Sequence, residues 1–150
     1  MKLLPWIAPL IAAASYLAWS YVAHDVYAAG LPPFDLHPYG DLGALDYLAA
    51  LTPEARAAYL GPLHRLDALL LTSLTASLIL PVLRAGWAWT LPALCYAAAD
   101  LLENRAVAAV LTQGLREAGE VSTIALLTTL KFAALALAAA LAARSLWRNR

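Results

Sequence analysis

Residues 121–143 read "VSTIALLTTLKFAALALAAALAA" and hold one charge, Lys131, in an otherwise apolar run. At 1.5 Å per residue, such a run crosses the roughly 30 Å of hydrocarbon in a bilayer. Within lipid the backbone must satisfy its own hydrogen bonds, as a helix or in a closed barrel. The run is continuous rather than alternating, so it predicts a helix. Three further runs read the same way, over residues 3–23, 66–83 and 87–111. The first follows Lys2 as the core of a signal peptide would. It is longer than the usual apolar core of about 7–15 residues, however. It also ends in Tyr16, Trp19 and Tyr21, which suit an interfacial aromatic belt. It is therefore expected to be a retained helix. The fold predicted is all-α: a four-helix transmembrane bundle in one membrane domain over residues 1–150.

Composition agrees with that reading. Of the 150 residues, 63% are hydrophobic and 13% charged, where a soluble domain has about 45–50% and about 25%. Formal net charge is zero, so no nucleic-acid footprint is offered and no such partner is expected. The single cysteine, Cys95, lies in an apolar run and is expected to be a small buried hydrophobe. Alone, it excludes an internal disulfide and the paired-thiol redox chemistry of some small membrane enzymes.

Orientation is read from the basic residues. Lys2, Arg84, Arg144, Arg148 and Arg150 fall on one side of the four runs, and Arg56, Arg65 and Arg116 on the other. The positive-inside bias then places both termini in the cytoplasm of a multi-pass protein of the cell inner (plasma) membrane. The long connection 24–65 faces the periplasm or exterior. Its "GLPPFDLHPYGD" is a turn region. Leu42, Leu45, Leu48 and Leu51 have helical spacing. Thr52, Pro53 and Glu54 form a helix start, and Gly61–Pro62 is expected to end that short helix. One or two short helices should lie on the outer surface as a lid. Trp6, Trp19, Trp87, Trp89 and Trp147 are expected as interface anchors.

The polar residues inside the runs are the informative ones. Asp100 and Lys131 fall near the middle of the third and fourth runs, at similar depth. A lone ion there costs about 2.5–3.5 kcal/mol on insertion scales, so Lys131 should pair with Asp100 or Glu103. Asp100, Glu103 and Asn104 stand at i, i+3 and i+4 and share a helix face, with Tyr96 one turn away. Thr128 shares the face of Lys131. Asp67 opens the second run, with Thr72, Ser73 and Thr75 below it, and Ser15, Tyr16 and Ser20 occupy the outer half of the first. Polarity concentrates in the outer half, which predicts a polar chamber open to the outside under the lid.

Asp100 and Glu103 are the candidate catalytic acid and base, with Lys131 as their electrostatic partner. Asp67, Tyr96, Asn104 and Thr128 are candidate binding residues in the chamber. Arg56, Tyr59 and His64 are candidates for its mouth or for a headgroup. His24, His37 and His64 lack H-x-x-H, E-x-x-H or H-E-x-x-H spacing, so no metal or cofactor is assigned. No G-x-S-x-G and no Gly-rich phosphate loop occurs. Two readings stay open. The chamber handles a small or amphiphilic molecule, as an acid–base enzyme or a carrier; or the same polar groups only fix helix packing in an accessory subunit of a larger membrane complex. Membrane lipids are the expected neighbours in either case.

The order of signals resembles a group of small, uncharacterised four-helix bacterial membrane proteins. The residues are Asp35 in "PFDL", then "ARAAYLGPLHRLD" with Arg56, Tyr59 and Asp67, then "DLLEN" with Asp100, Glu103 and Asn104, then "TTLK" with Thr128 and Lys131. That group has Gly before the arginine and Trp after the lysine, where this chain has Ala55 and Phe132. The resemblance implies the four-helix architecture and no activity.

Overall fold

A computed structural model of the chain describes residues 4–117 and 119–148. Lys2 and Arg150, used above for orientation, and Leu3 lie outside the described residues. The described residues contain helices and turns and no named strand: α1 (Leu4–Ala23), α2 (Asp41–Ala50), α3 (Pro53–Ala58), α4 (His64–Val82), α5 (Leu91–Gln113) and α6 (Glu120–Arg148). Three helical segments are long and apolar enough to cross a membrane: Trp6–Val26, Pro53–Ala85 and Glu120–Arg148. α5 is as long as a span, but Asp100, Glu103 and Arg105 near its middle keep it out of that set.

Each long helix buries a narrow stripe of small and polar side chains and exposes large apolar ones. On α6 the buried stripe is Val121, Ile124, Thr128, Lys131, Ala138 and Ala142, while Leu126, Leu130, Phe132 and Leu137 face outward. On α5 Tyr96, Asp100, Glu103, Asn104 and Val107 are buried, and Leu94, Leu101 and Leu102 are exposed. A water-soluble helix does the reverse. Small residues on the buried face let neighbouring backbones approach, which is how helices associate where lipid removes the hydrophobic drive. α5 packs along α6, α4 touches both, and α1 packs along α4 without an extended contact to α5 or α6.

The connection between α1 and α4 is ordered by its own core. Trp19, Val26, Phe34, Tyr39, Tyr47, Tyr59 and Leu63 pack with Val107, Leu111 and Ile124 at one end of the long helices. A second cluster, of Leu71, Leu78, Ala93, Tyr96, Ala138 and Ala142, lies along their other half. Phe34 meets Tyr39 and Tyr47 edge-on, with ring centroids 5.4 and 5.2 Å away. Tyr47 donates to the Val26 carbonyl (2.8 Å) and Tyr39 to the Pro32 carbonyl (2.6 Å). These bonds satisfy buried hydroxyls and hold the turn Phe34–Leu36 down onto the helices.

Four expectations change. The helix does not end at Gly61–Pro62: a π-helical turn, Tyr59–Leu63, joins α3 to α4. There the His64 N–H reaches back to Tyr59, and the wider winding absorbs the missing Pro62 donor. α2 buries Ala44 and Tyr47, with Leu51 just after it, while Leu42 and Leu45 are exposed, because the aromatic cluster selects the face carrying Tyr47. Trp19 is not an interface anchor; it is buried under the connection at 5% exposure. Cys95 is exposed rather than buried.

As read from sequence, the Thr52 hydroxyl caps α3, accepting from the Ala55 N–H at 3.2 Å, with Pro53 in the first turn. Arg56 projects from α3 to the far end of α5 and donates to the Leu111 carbonyl at 2.7 Å. Leu111 is in the last turn of α5, whose carbonyls lack helical partners. Arg56→Ala should therefore lower stability by about 1.5 kcal/mol, the low end for a bond to a charged group at a half-buried site. Thermal unfolding in detergent would measure that loss. Hydrogen exchange should rise selectively at the end of α5; an unchanged profile there would contradict the capping role.

Candidate functional site

Between the two apolar clusters lies a layer of buried polar side chains. Lys131 Nζ stands 3.1 Å from Asp100 Oδ1 and also contacts the Glu103 carboxylate. One turn of α5 supplies both acids on one face, as their i, i+3 spacing requires. Asn104, from the same face, donates to Asp67 Oδ2 at 2.5 Å and to Asp100 Oδ2 at 3.2 Å. It thereby ties the start of α4 to α5. Thr128 Oγ1 lies between the Glu103 carboxylate and the Ile124 carbonyl, 2.9 Å from the latter. Its single proton serves one acceptor at a time. Asp67, Asn104, Asp100, Lys131, Glu103 and Thr128 thus form one connected network, all buried.

Asp35 joins this layer from the connection. The turn Phe34–Leu36 lowers it over α5 and α6, where it is 4% exposed. Its Oδ1 has no hydrogen-bond partner. The buried Tyr59 hydroxyl faces the Asp35 carboxyl without a bond of good geometry, and it too is unpartnered. Burial pushes the Asp35 carboxyl above the usual carboxylate range, against an opposing pull from Lys131 and Tyr59; Asp100 adds to the rise and His64 opposes it.

Beside the network runs a cavity of about 420 Å³. Asp35, Asp67, Asp100, Lys131 and Tyr96 form its polar end, under the Phe34–Leu36 turn. Pro9, Ala12 and Ala13 of α1, Leu70, Leu74 and Ser77 of α4 and Leu135 of α6 are also in the lining. The indole N–H of buried Trp19, also in the lining, has no partner. The exposed lining residues are Ala13 and Tyr16 of α1, Phe132 of α6 and Leu36 of the roof. The mouth therefore lies between α1 and α6, which make no extended contact, with Leu36 of the connection at its edge.

The residues singled out in the sequence separate into two groups. Asp67, Tyr96, Asp100 and Lys131 line the cavity; Glu103, Asn104 and Thr128 stand behind them in the network. Arg56 is engaged at the end of α5, Tyr59 is buried against Asp35, and His64, half-buried, begins α4; none of the three lines the cavity. Lining groups outside the candidate set include Asp35, Trp19, Tyr16 and Ser77. The signal for Asp35 was its place between Phe34 and Leu36 in a Pro-flanked turn. Nothing in the local sequence distinguishes Trp19 from an interface tryptophan.

No protein-family model, curated protein or solved structure matches the chain.

Two outcomes test the layer. Lys131→Met leaves two carboxylates buried without their cation, and loss of one partner of a buried pair costs about 3–5 kcal/mol. The triple variant Lys131→Met, Asp100→Asn, Glu103→Gln should recover most of that stability in thermal unfolding; equal melting of single and triple variants would contradict a charge network. Asp35 gives a pH dependence. Folding raises its pKa, so the folded state holds the proton more tightly and the contribution of this group is present in acid. That contribution declines as pH climbs from the unfolded value of 3.8 through the raised folded one. Asp35→Asn should flatten this segment of the melting temperature against pH; an unaltered slope would contradict the assignment.

Proposed function

We propose that the protein is a multi-pass membrane protein that holds a small amphiphilic molecule in the cavity between α1 and α6. It is a four-helix transmembrane bundle of the cell inner (plasma) membrane, with both termini cytoplasmic and the 24–65 connection outside. Arg84, Arg144 and Arg148, which gather with Trp89 around a depression at one end, support that orientation. The observation that carries the functional reading is the cavity itself: one end polar and charged, the remainder apolar but for Ser77, the mouth sideways between two helices. A molecule dissolved in the bilayer reaches such a mouth by lateral diffusion, with its polar end at the network and its chain against Leu70, Leu74 and Leu135.

Two chemistries follow from the polar end. As a carrier site, the network fixes the head of the ligand while the apolar wall selects its tail. As an enzyme, Asp100 at the cavity wall and Glu103 behind it act as general acid and base, with Lys131 as their electrostatic partner. Intramembrane ionisable groups are costly, and that cost favours a functional role over simple packing. A second reading has its own support: Ala133, Ala136, Ala140 and Ala143 face outward on α6 at spacings of three and four. Such a small-residue face suits a partner helix, as in an accessory subunit of a membrane complex.

Ala13→Trp tests the choice, because Ala13 is exposed at the mouth and its replacement leaves the core alone. Native mass spectrometry of protein purified in mild detergent should find an amphiphile retained by the wild type and lost from A13W. Identical spectra for the two, with a stoichiometric protein partner on both, would favour the accessory-subunit reading.

A further inference from the structure

The charges around the cavity select among amphiphiles, and this step rests on the pocket reading above. Three carboxyl groups, Asp35, Asp67 and Asp100, border the space against one ammonium, Lys131. Lys131 is already committed to Asp100 and Glu103, and Asp67 accepts from Asn104. Asp35 lines the cavity at 4% exposure; its Oδ1 makes no hydrogen bond of good geometry, the Tyr59 hydroxyl is the donor that faces this carboxyl, and among the described residues no ion pair reaches it. A buried acceptor of this kind costs free energy until a donor reaches it, most of all when the donor is charged.

We infer that the occupant is a single-chain amphiphile with a cationic nitrogen at its polar end, an alkylammonium, whose head sits at Asp35. A phosphate or carboxylate head would meet three acidic groups and one lysine, whose charge already faces Asp100 and Glu103. A neutral head would gain nothing from the excess of carboxyl groups over ammonium groups at that end. Tyr16, Trp19 and Tyr96 line the same space, and aromatic faces attract ammonium and quaternary ammonium groups. The volume of about 420 Å³ is at the lower end of small-molecule sites, roughly 300–1,000 Å³, which suits one chain.

The test uses the full-length protein in a neutral maltoside detergent with three probes of one chain length: dodecyltrimethylammonium, dodecanol and dodecyl phosphate. Binding is read by native mass spectrometry and by ligand-induced shift of the melting temperature. The ammonium probe should bind at least tenfold more tightly than the phosphate. Asp35→Asn should bring it down to the level of the alcohol. Tyr16→Ala, at the exposed rim where folding is not at stake, should weaken the ammonium probe while sparing the alcohol. Phosphate bound as tightly as ammonium, or ammonium binding unaltered in both variants, would overturn the cationic head while leaving the pocket standing, provided A13W still excludes the probes. Binding of every probe unaffected by A13W would remove the pocket reading and this inference together.

Discussion

Lys131 lies in the middle of a helix apolar enough to cross a membrane, and everything near it is arranged so that its charge is never alone. Taking a single ammonium out of water is so unfavourable that its partners are effectively prescribed. α5 must present two acids on the face towards α6. Those acids, now also buried, need Asn104 and Thr128 behind them. Asn104 in turn reaches Asp67 and sets the register of α4. One cation therefore aligns three helices.

The two ends of the molecule are held by different physics. Around the 24–65 connection, large aromatic rings pack with the helix ends. Along the other half the contacts are small: Ala93 and Ala142 with Leu71 and Leu78. In lipid such a face gains from close approach, not from leaving water. The polar layer stands where these regimes meet. α1, which takes no part in the network beyond α4, is left with an open side towards α6, and the cavity occupies that side.

Much of the polar layer was legible from spacing. The i, i+3, i+4 pattern of Asp100, Glu103 and Asn104 allows one helical face and no other, and an ion pair follows from the cost of Lys131. The cap at Thr52 was equally local. The errors share a cause as well. Leu42 and Leu45 have helical spacing, yet Tyr47 and Ala44 are buried, because Phe34 and Tyr39, outside the helix itself, decide which face of α2 is covered. Pro62 carries the usual signal for a helix end, but packing of Tyr59 and Leu63 into the outer core keeps the chain helical through a wider turn.

The sequence alone determined that the chain is all-helical, that most of it suits lipid, and that its buried acids and lysine must meet, since length, hydropathy and helical periodicity are properties of single segments. Only the tertiary structure decided that α1 stands apart from α6, that Trp19 goes under the connection, and that Asp35 descends from a surface turn to the edge of a cavity. Those outcomes depend on how segments far apart in the chain divide the available contacts. No local pattern encodes the space that remains between them.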